Sequence, residues 1–584
     1  FMFLTQSDLD FISPMISLIG SLRIPYFAAV KKLFFQMKFT VLLFIACFWF
    51  PSVFGQQNDA ALKAGFDKLL TEDFKPGEPG ATALVARKGQ IIYHKAFGMA
   101  NLEFNIPMQV DNIFRIGSIT KQFTAIAILQ LMEQGKLSLQ DDITKFIPDY
   151  PTHGHTITIE HLLTHTSGIQ SYTGMKDFEE KISLDLNPTQ VIDFFKNQPM
   201  EFAPGTQWHY NNSGYFLLGY IIEKASGKSY PDYIETQFFK PLGMTNSLYG
   251  SDKKIIKNRA GAYDEDDSLG IVNAHVMSMT IPYAAGSIQS TVGDLFKWHQ
   301  ALHGGKLVKK ETLEKAFKPV KLTDGTSHPY GYGFGFQNVQ GSPTIEHGGG
   351  INGFLTHSMY LPKEDVFVAV FSNCMCHSPA DVTAKMAALT IGKPYEPKEI
   401  KVEPLVLQGY TGVYENSKGE QRYITVENNQ LHSERQGSEK LKLKASAKDQ
   451  FFFEARMNSL VFSRDASGAV DKVTLKGRED DMVWTKTNKP MPSRIEMKVD
   501  EEILSTYVGS YELAPNFILT ITKEGDRIFA QATGQGKNEL FAKSPTQFFL
   551  KVVDAEVEFV KDETGKVSKL ILNQGKKMEA KRVR

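Results

Sequence analysis

The chain has 584 residues, with 65 Lys plus Arg against 65 Asp plus Glu and a formal net charge of zero. A balanced surface offers no field for nucleic acid or an anionic membrane surface, so neither is expected as a charge-recognised partner. Three cysteines exclude a disulfide framework, while the length is ample for a large core with smaller modules beside it.

At the N-terminal end, Met37-Lys38 followed by the apolar residues 39–50 and Val53-Phe54-Gly55 predicts a secretory signal over 37–55, behind an upstream segment. The apolar stretch is short for a bilayer and Pro51 ends it. Cleavage after Gly55 would leave Gln56 first, giving an exported chain, periplasmic or secreted. The alternative is an uncleaved anchor, helped by the apolar segment 11–33, which would associate the protein with a membrane. Cys47 falls inside the signal, and Phe48-Trp49-Phe50 after it is unlike the start of a lipidated mature chain.

Residues 81–86, 91–94 and 95–98 read as strands with a turn at Lys88-Gly89, and 366–371 as a further strand. Between them, Ser118 opens a run that is apolar nearly all round (Ile119, Phe123, Ile126, Ala127, Leu129, Leu131, Met132) and stops at Gly135. Residues three apart share a helix face, so the Ser118 hydroxyl and the Lys121 amine can meet. A desolvated lysine can take the hydroxyl proton and activate a serine nucleophile. His153, His155, His161 and His165 lie close in sequence, but no acidic or thiol partner stands at a zinc spacing, so no metal is expected.

Further on, Pro204-Gly205 turns into the loop Trp208-His209-Tyr210-Asn211-Asn212, which opens a second buried helix. Tyr210 can relay a proton and Asn212 can orient a substrate. Glu346-His347-Gly348-Gly349-Gly350 follows, where glycines allow close backbone approach. Cys374 and Cys376, two apart at a strand end, read as ordinary residues, since a bridge is hard to close over so short a span. A G-x-S-x-G elbow is absent, which argues against an α/β-hydrolase.

Past Pro394 the pattern becomes all-β, and it repeats. Tyr410-Thr411-Gly412 recurs as Tyr507-Val508-Gly509, Gln450-Phe451-Phe452 as Gln547-Phe548-Phe549, and Phe462 as Phe559, at a constant offset of 97 positions. That predicts two copies of one module, each a small closed or nearly closed barrel. The expected boundaries are 56–392 for the catalytic domain, 393–404 for a linker, 405–487 for the first module, 488–501 for a second linker and 502–584 for the second module. Two readings of the tail stay open: a loop that shapes the active-site mouth, or a stabilising appendage.

The order S-x-x-K, then Y-x-N, then a basic residue followed by x-Gly, resembles the serine β-lactamase and penicillin-binding-protein superfamily, in its class C-like branch. Leu162-Leu163-Thr164-His165-Thr166-Ser167-Gly168, Tyr330-Gly331-Tyr332-Gly333 and the stretch 286–294 are similar to that family too, over roughly 80–373. The resemblance implies an α/β catalytic domain, an antiparallel sheet with flanking helices and a helical lobe, followed by two lipocalin-like barrels. It implies acyl transfer through Ser118, with Lys121 and Tyr210 moving the proton and the backbone N–H groups of Ser118 and Gly350 forming the oxyanion hole. Asn212, His347 and Gly349 would bind substrate, and no cofactor is needed. The third motif departs from the usual Lys-Thr-Gly: a mostly neutral His347 and Gly348 weaken recognition of a carboxylate. That favours small amides, D-amino-acid peptides or esters, with D,D-carboxypeptidase or β-lactamase as the alternative and an idle peptidoglycan- or partner-binding protein as the rival. Between pH 5.5 and 7.5, His347 is expected to titrate and to tune the preference for carboxylate substrates, about its ordinary value near 6.5.

Overall fold

A computed structural model describes residues 59–583, apart from 267, 396–397, 437, 439, 455, 479–480, 492–495 and 515–516. The expected signal at 37–55 lies outside the described residues. These fall into two units, one ending at Lys68 and one running from Leu69 to Arg584, and all that follows concerns the second. Among the described residues, no helix is long and apolar enough to cross a membrane.

Six strands build the catalytic sheet: β1 (Ala81–Arg87), β2 (Gln90–Phe97), β3 (Gly335–Val339), β4 (Ser342–Ile351), β5 (Phe354–Leu361) and β6 (Val366–Ser372). Their order is β3-β4-β5-β6-β1-β2, all antiparallel. The first and last strands of the sheet in sequence order thus pair inside it, β1 with β6 from Ala81–Ser372 to Arg87–Val366. β6 is buried at every residue, as its unbroken apolar run requires of a strand covered on both faces. Lys88 and Gly89 both take positive φ, the two-residue turn that matches strand twist; after it Gln90–Phe97 is one strand where the sequence suggested two, and Gly98 falls outside it.

Four helices matter for the site. α1 (Thr120–Glu133) is buried on nearly every side, as its all-round apolar sequence demands. α2 (Asn212–Ser226) starts at Asn211, whose side chain accepts the Gly214 N–H, and ends at Gly227 in the left-handed conformation. α3 (Val292–His303) is capped by Thr291, and α4 (Pro379–Thr390) packs on β5 and β6. α1 packs against α2 and the short helix Tyr283–Gly286.

Cys374 and Cys376 are joined in a disulfide, contrary to the reading of them as ordinary residues. The chain turns sharply after β6 and brings their Cα atoms to 5.2 Å, inside the range a disulfide accepts.

The tail forms two closed eight-stranded barrels, as the repeat predicts. The first runs from Gly412–Glu415 to Met482–Lys486 and closes through Tyr414–Lys486; the second runs from Gly509–Ala514 to Lys577–Arg582 and closes through Tyr511–Arg582. Each is preceded by a short helix, Pro404–Gln408 or Glu501–Tyr507. The same buried corner recurs: Tyr414 donates to the Tyr410 carbonyl at 2.7 Å, and Tyr511 to the Tyr507 carbonyl at 2.8 Å.

Both phenols are fully buried, so Tyr414→Phe and Tyr511→Phe should each strand a carbonyl and cost about 1 kcal/mol. Hydrogen exchange resolved to each barrel checks this; a loss in one barrel only would show that the two corners are not equivalent.

Candidate active site

Ser118 sits on the 3₁₀ turn Gly117–Ile119 that leads directly into α1. Lys121, one turn on, is fully buried. Its Nζ donates to Ser118 Oγ at 3.0 Å, to Asn212 Oδ1 at 2.8 Å and to the Ala285 carbonyl at 2.9 Å. It also lies 4.8 Å from the centre of the Tyr210 ring. Burial pushes the Lys121 amine well below the ordinary lysine range, because the charged form loses its hydration. Burial pushes the Tyr210 phenol the opposite way, up, against a lowering interaction with Ser118. Two sequence motifs therefore meet at one hydroxyl, with a lysine whose neutral form is within reach and a phenol that holds its proton.

Asn212 is committed on both sides. Its Oδ1 holds Lys121 and its Nδ2 donates to Thr173 Oγ1 at 3.0 Å. The adjacent asparagines divide the work: Asn211 caps α2 while Asn212 faces the lysine. So Asn212 contacts Lys121, a partner that its spacing in the sequence does not suggest.

The third motif lies on β4. Gly117 has φ of 50°, and a Cβ there would stand 3.0 Å from Gly350 N. That close approach brings the backbone before Ser118 against the strand carrying Gly350. Gly349 is buried, and a Cβ there would fall 2.0 Å from the Ile116 carbonyl. Its lack of a side chain lets β4 reach the Ser118 turn, and the space a Cβ would need is filled by Ile116 and Thr356.

His347 departs most from its expected behaviour. Its Nδ1 faces the Gly348 carbonyl at 2.6 Å and its Nε2 the Tyr330 hydroxyl at 2.8 Å. A carbonyl only accepts, so Nδ1 carries the proton and Nε2 accepts from Tyr330. Burial, reinforced by Lys121, lowers the imidazole to about 3. The ring is thus neutral across the whole window in which it was expected to titrate.

Three contributors were not assigned a role from sequence: the Ala285 carbonyl, Thr173 and Tyr330. His165 joins them. It accepts the Asn211 N–H at 3.1 Å through Nδ1 and stacks near Tyr210 and Tyr330, at 4.4 and 4.8 Å between ring centres. Tyr330 and His165 stood in recognisable stretches; a main-chain carbonyl leaves no trace in a sequence. His161 instead accepts the Thr158 N–H in a helix cap. Cys374, Cys376 and His377 lie close enough to share an ion, but the two sulfurs are bonded to each other. Beyond Tyr330 the site borders a cavity of about 1290 Å³ whose walls include Trp208, His328, Asn338, Glu415, Lys418 and Arg478.

Residues 65–393 match the beta-lactamase family. The chain belongs to that family. It is a serine hydrolase of the β-lactamase and penicillin-binding-protein superfamily. Penicillin-binding protein 4* of Bacillus subtilis (strain 168) is 30% identical over 433 residues, 69% of this chain and 95% of the relative. A D-aminopeptidase of Gluconobacter oxydans (strain 621H) is 27% identical over 57% of this chain and 63% of its own. The octameric penicillin-binding protein homologue from Pyrococcus abyssi is 28% identical with a TM-score of 0.51, covering 73% of this chain and 99% of its own. A D-stereospecific amidohydrolase from Streptomyces sp. is 26% identical with a TM-score of 0.50, covering 57% and 99%. Residues 493–582, which span the second tail module and part of the linker before it, match a domain of unknown function, DUF3471.

With His347 neutral, the ratio of kcat/KM for a carboxylate-bearing and a neutral substrate should stay flat from about pH 5.5 to 7.5, the window of an unperturbed histidine. His347→Lys should cost stability and activity, since it buries a cation beside Lys121 and leaves the Tyr330 hydroxyl without its acceptor. A ratio that climbs as pH falls would instead mean that His347 titrates near its ordinary value.

Proposed function

We propose that the chain acts through a Ser118 acyl-enzyme on small amide, D-amino-acid peptide or ester substrates. One observation carries the reading: a fully buried Lys121 amine 3.0 Å from Ser118 Oγ. The opposed shifts of Lys121 and Tyr210 support a division of labour. Neutral Lys121 takes the Ser118 proton as Oγ attacks the carbonyl, and Tyr210 passes a proton to the leaving group. The N–H groups of Ser118 and Gly350 receive the oxyanion. Water then attacks the acyl carbonyl and regenerates Ser118.

The third motif supports amides and esters over β-lactams. A neutral His347 turned toward Tyr330 offers no cation to a substrate carboxylate. The named activities of the D-aminopeptidase and D-stereospecific amidohydrolase relatives agree with that preference. D,D-carboxypeptidase activity is the second reading, favoured by the penicillin-binding protein relative that this chain covers almost throughout.

Ser118→Ala should lower hydrolysis of D-amino-acid amides by about 10⁴- to 10⁶-fold with the fold kept. Lys121→Ala and Tyr210→Phe should be severe and should not add to it, because the three act as one unit. A Ser118→Ala variant as active as the parent would remove the serine from the mechanism. A screen of D-amino-acid amides, p-nitrophenyl esters, nitrocefin and D-Ala-D-Ala peptides ranks the substrate classes.

Export belongs to the same proposal. N-terminal sequencing of protein from the cell envelope or medium should read Gln56 first. Material that retains residues 39–50 would mean an anchor instead.

A further inference from the structure

Arg478, between the last two strands of the first barrel, touches the strand that carries His347 and Gly350. Arg478 Nη2 lies 2.6 and 2.5 Å from the two carboxylate oxygens of Glu346. Only 11% of the arginine side chain and 8% of the glutamate side chain are exposed. The Arg478 carbonyl also accepts from Asn338 twice, from its backbone N–H at 3.0 Å and its amide Nδ2 at 2.9 Å. So one residue of the barrel grips both β3, the edge strand, and β4, its neighbour.

Successive strand residues face opposite sides of a sheet. Glu346 therefore lies behind β4, on the face away from His347 and Lys121. Its surroundings there are the Thr344 hydroxyl at 2.8 Å, His357 of β5 at 3.7 Å, and Arg478. Burial by itself would raise the Glu346 carboxyl; His357, Arg478 and Thr344 outweigh it and hold it at about 2. A carboxylate this buried needs its counter-charge, and Arg478 comes from a different module.

The duplicated barrel shows that this turn is special. Leu475 pairs with Met482 in the first copy and Leu572 with Met578 in the second, so the first turn is one residue longer. Gly575 stands 97 positions after Arg478. A barrel of this kind closes without the arginine, and the fold of the module does not call for it.

We infer that Arg478 is a positioning residue for catalysis: through Glu346 it fixes β4 from behind, and so the placement of His347 and of the Gly350 N–H against Ser118. The first barrel is then part of the catalytic apparatus, acting on the back of the oxyanion strand. This rests on Ser118 as the nucleophile.

The test is the rate constant for labelling of Ser118 by a fluorophosphonate, measured on the full chain together with the final stoichiometry. A rate constant is read from time courses of the molecules that do react, so a smaller folded fraction lowers the stoichiometry and leaves the constant alone. Arg478→Ala should slow labelling by up to about 10²-fold, the scale of a small misplacement of reacting groups, with stoichiometry near that of the parent. Adding Glu346→Gln should restore most of the rate, because it removes the charge that Arg478 balances. An unchanged constant in Arg478→Ala, or a slowed constant that Glu346→Gln does not rescue, would overturn the inference. Should Arg478→Ala not fold, Arg478→Gln carries the same comparison: slowed labelling supports the role, and parent-like labelling overturns it. A parent chain that is not labelled at Ser118 would instead remove the nucleophile assignment.

Discussion

The burial of Lys121 organises this enzyme. An amine with no solvent around it must find partners in the protein or lose its charge, and here it does some of each. Ser118 Oγ, Asn212 Oδ1 and the Ala285 carbonyl surround Nζ, and these belong to the turn before α1, the start of α2 and the short helix Tyr283–Gly286. Three segments far apart in sequence are drawn to one nitrogen. The same desolvation lowers its proton affinity, so the constraint that assembles the site also prepares it to accept a proton.

Neighbouring residues inherit that environment. His347 and His165 are kept neutral by burial and by the nearby Lys121, and Tyr210 and Tyr330 hold their phenol protons. The result is a pocket wall of uncharged rings around one ambivalent amine. Such a wall would discriminate by shape and hydrogen bonding more than by charge, in keeping with the proposed preference for amide and ester carbonyls.

How far the sequence led can be argued residue by residue. Ser118, Lys121, Tyr210 and the glycine run of β4 were legible because each has a side chain, or a run of glycines, at a spacing the proposed chemistry requires. The two barrels were legible from a constant offset, which needs no knowledge of their strands. Asn212 was found but its partner was not: nothing local says that an amide faces a lysine 91 positions earlier. His347 was misjudged because an ordinary histidine value presumes solvent, and burial is decided by tertiary packing. The disulfide was missed because its closure depends on a turn after β6. Arg478 stands beside Glu479-Asp480-Asp481 in the sequence and reads as one charge in a solvated loop. Only the contact of Arg478 with Glu346 shows otherwise.

The outer edge of β3 has a wider consequence. A strand at the margin of a sheet exposes N–H and carbonyl groups that invite another chain to pair. Here the Phe336 N–H is taken by the Pro329 carbonyl and the Asn338 N–H by the Arg478 carbonyl. The first barrel thereby takes one outward N–H of this margin, and Pro329 of the catalytic domain takes another. A chain without that module would leave the Asn338 N–H open to water or to another strand. The first module is in this sense partial insulation for the sheet.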